Sequence, residues 1–444
     1  MEKLQLTSSS TTTRANINTG VNPVVRFIRY LPILLFAAVF HTQAQSDDEI
    51  INKLYRDSYQ FWQQIREPNG VYRDGFQLSN KQSVRGSIAN AGMGLVALAI
   101  GHAQGWQPNA ENLALQTLTT LSGNTPGFTP ARNAAGCYMH FFNVHTGQAM
   151  SKDFSPIDTD IMLLGATFIK NYFSKNQQIG QLVDQLLASV DQAKFIGDPI
   201  KGQIALSMNA NGEPSGAWTI PFNEYMIVAW LAKQQSKDDN SAANQLWSRH
   251  YQTPKNLKKA LFGKAQTPVL SVSNKRYVTM FTFLFNYYLV HHFSNSPEYV
   301  QAMKNAAKAD FSWWQEQDIK QWQPYEWGTG AGATITGYNA DRIFNRGSRD
   351  ENPYQIVSPH ILSGFSPVKP SVKADLVAMY RAGPDKAIYQ LSPEVSVLWR
   401  YSLKQKHWRA KAVQGVDFST MLFGLAALPD FLGADFFNRY NTLE

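Results

Sequence analysis

The chain has 444 residues, of which 44% are hydrophobic and 17% are charged, and its formal net charge is +8. This composition is typical of a globular protein and excludes a largely disordered chain. Its lysines and arginines are scattered along the sequence, which argues against nucleic-acid binding, and its single cysteine, Cys137, excludes an internal disulfide.

The first 44 residues differ from the rest. A polar leader is followed by two arginines, an apolar run from Leu31 to Phe40 and the small-residue end Thr42-x-Ala44. This pattern predicts a signal peptide with a polar leader over 1–44, and the apolar run is short for a membrane span. We therefore expect one mature domain over 46–444, no stable membrane span after cleavage, and a periplasmic or secreted location. An uncleaved anchor is the alternative.

Helical periodicity dominates the remaining chain, beginning with apolar residues spaced by about 3.6 between Ile50 and Phe61. Further along, largely apolar segments are each followed by an amphipathic one. The apolar helices are predicted at 86–101, 157–173, 221–232 and 278–292, and the amphipathic ones at 110–121, 178–190, 242–248 and 298–315. Three more helices are predicted at 372–380, 394–401 and 420–428.

This alternation indicates the fold class. A wholly apolar helix is buried on every side, whereas an amphipathic helix keeps one face in solvent. Alternating inner and outer helices suit a double ring, so we predict an all-α, (α/α)6 toroid of about twelve helices. Long polar connections at 123–156, 195–220, 318–357 and 402–416 are expected to form its active face, because loops of this length are usually functional.

Polar side chains cluster in the loops that lead into the apolar helices. If the inner helices all begin at one rim of the toroid, these loops converge there. Carboxylates and aromatic rings around one cleft favour glycoside hydrolysis, in which one carboxylic acid protonates the leaving oxygen and a second carboxylate activates water or attacks the sugar. Glu224 is the candidate acid, because burial next to an apolar helix raises a carboxyl pKa. The candidates for the second carboxylate are Asp158, Glu326, Asp341 and Asp417.

Structural interpretations of these residues remain open. Glu224 and Asp158 both lie near a predicted helix N-terminus, where a carboxylate is favoured as a cap, and Ser155 is a possible N-cap beside Asp158. His140 and His145 lack a third ligand, so no metal site is predicted. The glycine-rich segment 328–337 does not match a dinucleotide fingerprint, and no cofactor is expected.

Three segments resemble a known family. They are "GSIANAGMGLVALAIGHAQGW" (86–106), "SPIDTDIMLLGA" (155–166) and "WTIPFNEYMIVAWLA" (218–232), and they are similar to motifs of the bacterial glucoamylase-like domain, the group that contains the endo-β-1,2-glucanases of glycoside hydrolase family 144. The resemblance implies an (α/α)6 toroid and an inverting endo-hydrolase without cofactor. It implies that Glu224 and Asp158 are the catalytic carboxyl groups.

The resemblance also implies an oligo- or polysaccharide partner, a glucan, for what we expect to be a monomer. The predicted substrate contacts are Arg85, His140, Trp218, Asn223, Trp327, Tyr338 and Asp417. Trp106 and Tyr138 are two further aromatic candidates, with burial in the core as the alternative. Amphipathic rings provide contact area for sugars at low entropic cost.

The likeness weakens after about residue 265. Ala333 stands where the family motif implies an aspartate, and only Asp417 keeps part of a later acidic motif. Three outcomes therefore stay open: a hydrolase of a bacterial β-glucan similar to β-1,2-glucan, a transglycosylase, or a glycan-binding relative that does not hydrolyse.

Overall fold

Helices are the predominant regular structure, as the periodicity predicts. The computed structural model describes residues 45–79, 81–271, 277–344 and 352–443, so the predicted signal peptide over 1–44 lies outside the described residues. The α-helices in the described part are α1 Asp47–Ile65, α2 Ile88–Ala103, α3 Ala110–Leu121, α4 Pro156–Tyr172, α5 Gln177–Ala188, α6 Met226–Gln235, α7 Ala242–Leu246, α8 Phe281–Leu289, α9 His291–Asn295, α10 Pro297–Glu316, α11 Pro359–Gly364, α12 Val372–Arg381, α13 Gly415–Ala426 and α14 Ala434–Tyr440.

Six of these helices contact one another in a closed sequence. In the order α2, α4, α6, α8, α11 and α13, each helix packs against the next, and α13 packs against α2. Most residues of α2, α4 and α13 are buried. Small residues allow the closest approach: a Cβ atom on Gly92 would lie 2.3 Å from the Ile161 carbonyl oxygen, and one on Gly165 would lie 2.1 Å from the Gly92 carbonyl oxygen.

The other long helices pack on these six. Helices α3 and α5 contact each other and cover α2 and α4, α10 packs on α8, and α12 lies against α11 and α1. Helix α5 buries one face only, through Ile179, Leu182, Val183 and Leu186. The predicted alternation of buried and amphipathic helices is therefore confirmed for these pairs, and so is the all-α class.

Several predicted boundaries were wrong. The segment 394–401 holds the strand Ser396–Leu398 and the first residue of the strand Tyr401–Ser402, because its backbone pairs with Ile388–Gln390 and β-branched side chains such as Val397 favour strands. Helix α6 begins at Met226, five residues later than predicted, and the predicted helix 278–292 is divided at Val290 into α8 and α9.

Short antiparallel strand pairs connect the loops. In the described residues the pairs are β1 Gly75–Gln77 with β14 Ala412–Gln414, β2 Arg85–Ser87 with β3 Phe141–Asn143, β4 Lys259–Phe262 with β5 Thr267–Leu270, β6 Tyr277–Val278 with β9 Ile343–Phe344, β7 Ala331–Thr334 with β8 Gly337–Ala340, β10 Ile356–Val357 with β13 Tyr401–Ser402, and β11 Ile388–Gln390 with β12 Ser396–Leu398.

Two of these pairs bring together the segments that enter the inner helices. The β2–β3 pair joins the entry to α2 with the long loop before α4, and the β1–β14 pair joins the segment after α1 to the entry of α13. Consequently Asp74, Arg85, His140 and Asp417 lie on or close to these paired strands. Within the described ranges, no helix is both long and apolar enough to cross a membrane.

Candidate active site

Glu224 lies in the turn that leads into α6. The N-cap residue of α6 is Tyr225, and no side chain caps this helix. Asn223 shapes the turn: its Oδ1 accepts a hydrogen bond from the Tyr225 N–H at 3.0 Å, and its Nδ2 donates to the Ile220 carbonyl at 2.8 Å. The carboxyl group of Glu224 is therefore not a helix cap, which removes the structural alternative for this residue.

The surroundings of Glu224 favour its protonated form. The side chain is partly buried, and burial together with the negative charge of Asp158 raises its pKa to about 7. Its own backbone N–H and the guanidinium of Arg342 oppose the shift. A carboxyl group that titrates near neutral pH can act as a general acid.

Asp158 lies in the first turn of α4. The helix is capped by Ser155, whose Oγ accepts a hydrogen bond from the Asp158 N–H at 3.3 Å, so the predicted N-cap is confirmed. The Asp158 carboxylate itself forms an ion pair with Nδ1 of His140. Burial lowers the pKa of His140, but the charges of Asp158 and Asp74 outweigh burial and raise it overall. Asp158 and His140 thus form a hydrogen-bonded pair that favours the protonated imidazole, and the charge of Asp158 acts on Glu224.

A second ion pair, between Arg85 and Asp74, lies beside the first. Nη2 of Arg85 is 2.5 Å from Oδ2 of Asp74, and the Arg85 guanidinium lies 4.5 Å above the centroid of the Phe141 ring. Burial raises the pKa of Asp74, the charge of Asp158 adds to the rise, and Arg85 and His140 oppose it. Asp74 is not among the residues predicted for the site, although it shares a polar segment with Arg85 in the sequence.

Asp417 and Tyr338 form a third polar contact. The Tyr338 hydroxyl donates to Oδ1 of Asp417 at 3.1 Å, although the Tyr338 residue as a whole is 60% exposed. Burial raises the pKa of Asp417 to about 7, opposed by Arg400 and by the Tyr338 hydrogen bond and increased by Asp74. Oδ2 of Asp417 has no hydrogen-bond partner among the described residues. Asp417 itself is 2% exposed, so this oxygen is enclosed by the protein.

Two candidates for the second carboxylate have structural roles instead. Asp341 is 2% exposed and pairs with the fully buried Arg400. Glu326 is fully buried, lies 2.6 Å from Nζ of Lys386 and accepts a hydrogen bond from the Tyr401 hydroxyl at 3.3 Å. Both carboxylates are neutralised inside the protein, so Asp158 and Asp417 remain as the predicted partners of Glu224.

The predicted sugar contact of Trp327 is wrong. Trp327 is fully buried, stacks at 6.1 Å on Phe365 and donates from Nε1 to Oδ2 of Asp375 at 3.0 Å. The core also holds Tyr138, whose hydroxyl donates to the Leu121 carbonyl. A tryptophan beside a glycine-rich loop is compatible with either role, and only its burial decides between them.

Trp218 packs on a glycine, whereas Ala333 lies beside Tyr338. Trp218 is partly exposed and its ring covers Gly197, where a Cβ atom would lie 2.5 Å from the indole. Ala333, the position at which the resemblance implies an aspartate, faces Tyr338 across the β7–β8 pair, and its N–H donates to Oε1 of Gln414 at 3.2 Å. The departure from the family motif therefore lies next to the contact between Tyr338 and Asp417.

The structure thus brings together most of the predicted site residues. Mutual electrostatic effects connect Glu224 to Asp158, Asp158 to Asp74, and Asp74 to Asp417. We call these four carboxyl groups, with Arg85, His140 and Tyr338, the acidic cluster. No group of three or more metal-binding side chains occurs in the part of the chain that the structure describes.

This arrangement occurs on a fold with known relatives. Endo-β-1,2-glucanase from Chitinophaga pinensis, solved with sophorotriose and glucose, is similar with a TM-score of 0.72 at 17% identity, over 89% of this chain and 95% of that one. The chain has the fold of the endo-β-1,2-glucanases. A β-1,2-glucanase from Parabacteroides distasonis matches with a TM-score of 0.68 at 15% identity, over 88% of this chain and 58% of that one.

The similarity extends to a third solved structure. An endo-β-1,2-glucanase from Talaromyces funiculosus, solved with sophorose, matches with a TM-score of 0.57 at 11% identity, over 86% of this chain and 87% of that one. No protein-family model and no curated protein sequence matches the chain. The resemblance that the sequence motifs predicted is therefore confirmed at the level of the fold.

Proposed function

We propose that the protein is an exported glycoside hydrolase, built as an (α/α)6 toroid, that cleaves a bacterial β-glucan similar to β-1,2-glucan with inversion. The observation that carries this proposal is the Glu224 carboxyl group, whose pKa of about 7 is set by burial next to Asp158. The six helices in a closed sequence and the fold shared with endo-β-1,2-glucanases support it.

In the proposed reaction, Glu224 donates its proton to the glycosidic oxygen as the bond to the anomeric carbon breaks. A water molecule attacks that carbon from the opposite face, and Asp158 takes the proton that this water loses. His140 stays paired with Asp158 and holds its carboxylate in position. Both carboxyl groups then exchange protons with solvent before the next turnover.

The other residues of the acidic cluster are proposed to bind the sugar. The exposed Tyr338 ring and the partly exposed Trp218 provide apolar faces, and Arg85 can donate to hydroxyl groups. Asp417 is the alternative to Asp158 as the second carboxylate, because its Oδ2 lacks a partner among the described residues.

A non-hydrolytic glycan-binding relative and a transglycosylase are the second candidates. Ala333 favours them, because a carboxylate that the family motif implies is absent from that position. Calorimetry with a panel of neutral glucans, combined with analysis of the products, distinguishes these two candidates from the proposed hydrolase. Binding without any released sugar identifies a binding relative. Products longer than the glucan that was supplied identify a transglycosylase.

The rate of hydrolysis should fall as the pH rises through about 7. Only the protonated Glu224 can donate, and burial raises its pKa to about 7, so kcat/KM should decline by about tenfold per pH unit above that value. We would measure kcat/KM from acidic to alkaline pH and record thermal unfolding at each point as the control. A rate that stays constant well above neutral pH in folded protein would exclude Glu224 as the acid.

The mature protein is proposed to begin near Gln45. The observation behind this proposal is the apolar run that ends at Ala44. N-terminal sequencing of the protein recovered outside the cytoplasm of a bacterial host should give this start. A full-length chain found only in the cytosol would contradict export.

A further inference from the structure

A cavity of about 630 Å³ opens at a place that shares no residue with the acidic cluster. Its walls come from the loop after α10, the segment before β11 and the segment after β13. The basic and acidic residues that line it are Lys320, Asp385, Lys386, Lys406, His407 and Arg409. A cavity with this many basic side chains is an unusual feature of a protein whose other cations are scattered.

The positive charges of this cavity are only partly compensated. Lys386 pairs with the buried Glu326 beneath the wall. Of the described residues that line the cavity, Asp385 is the one with an acidic side chain. Among the described residues, Lys320 and Lys406 have no carboxylate partner. Within the described residues, Nζ of Lys406 donates to Oε1 of Gln321 alone, at 3.0 Å. The exposed ammonium groups of Lys320 and Lys406 therefore line the cavity and can donate further hydrogen bonds.

Arg409 contributes charge, but its donors bind the protein. Nη1 donates to the carbonyls of Pro384 and Lys386, both at 2.9 Å, and Nη2 donates to that of Ile388. Its guanidinium also stacks 3.8 Å above the Tyr389 ring. The Arg409 guanidinium therefore cannot bind a carboxylate through two parallel hydrogen bonds. The donors that remain are the ammonium groups of Lys320 and Lys406, which bind phosphate as point charges.

The loop that forms one wall is conformationally strained. Gln321 has a φ angle of 69° and Asp318 one of 49°, in the left-handed region that residues other than glycine rarely adopt. Such strain persists only where the surroundings hold it, and it is concentrated at functional sites and ligand clamps. Here the hydrogen bond from Lys406 to Gln321 holds the strained residue against the cavity.

We propose that this cavity binds a multiply charged anion of the phosphate type. The anion can be free or can be a substituent of a saccharide, since both present the same tetrahedral group with several acceptor oxygens. This site is separate from the proposed hydrolytic centre and does not depend on hydrolysis taking place.

Calorimetric titration of the full chain with inorganic pyrophosphate, in a buffer without phosphate, tests the proposal. We expect saturable binding that is at least about tenfold weaker in the double variant K320Q/K406Q, because two charge-assisted contacts are lost. The matched control is K237Q/K258Q, which removes two exposed lysines elsewhere and makes the same change in net charge. The control should bind as the wild type does, and thermal unfolding should show that all three proteins are folded.

A second titration identifies the source of the anion. Glucose 6-phosphate binding more tightly than inorganic phosphate assigns the site to a saccharide substituent, and equal affinity assigns it to the free anion. The proposal is overturned if pyrophosphate does not bind saturably. It is equally overturned if K320Q/K406Q binds like the wild type, or if both double variants lose the same affinity.

Discussion

Replacing Glu224 by glutamine should lower kcat for glucan hydrolysis by on the order of 100-fold or more, the scale expected when a general acid is lost. The glutamine keeps the size of the side chain, but it cannot supply a proton. Folding should be little affected, since the Glu224 carboxyl does not cap α6 and its raised pKa shows that burial disfavours its ionised form. Steady-state kinetics and thermal unfolding of the same variant measure both effects.

A matched control is available at Asp310. Burial raises the pKa of this carboxyl to about 7 as well, but Asp310 accepts a hydrogen bond from the Thr329 N–H at 3.0 Å and lies outside the acidic cluster. Asp310→Asn should therefore keep kcat near that of the wild type. Activity retained in folded Glu224→Gln would contradict the role of Glu224 as the general acid.

Replacing Arg400 by methionine should cost about 3–5 kcal/mol of the free energy of unfolding, because it leaves Asp341 buried without its cation. Arg400 is fully buried, and besides its ion pair it donates to the Ser358 hydroxyl and the Gly330 carbonyl, both at 3.1 Å. Chemical denaturation measures the loss.

The double variant R400M/D341N separates the ion pair from the other contacts of Arg400. It should recover part of the lost stability, since the unpaired charge is removed. Asp341→Asn alone should retain hydrolysis per folded molecule, because Asp341 neutralises Arg400 and does not belong to the acidic cluster. If folded Asp341→Asn showed no hydrolysis, Asp341 would be a candidate for the second catalytic carboxylate.

The inner helices could be predicted because their sequences are apolar on every face, a property that requires burial. The same property misled the prediction at 394–401, where two strands are also buried on both sides. The segment alternates valine with other residues, and its partners lie in β11 and β10. Apolar character indicates burial in both cases, but the type of element depends on pairing with distant segments.

The acidic cluster was partly predictable for a geometric reason. Asp158, Glu224 and Asp417 each lie at the entry of an inner helix, so helices that begin at one rim bring them together. The sequence could not distinguish them from Glu326, whose partner Lys386 lies far along the chain. Trp327 was misassigned for a similar reason, since its burial depends on contacts with later residues such as Phe365 and Asp375.

Product analysis of the wild-type protein with β-1,2-glucan tests the proposed function most directly. Nuclear magnetic resonance should show short oligosaccharides whose new reducing ends first appear in the inverted anomeric configuration, and their formation should be lost in Glu224→Gln. The account would be contradicted if folded wild-type protein released no sugar from β-1,2-glucan or from any other neutral β-glucan.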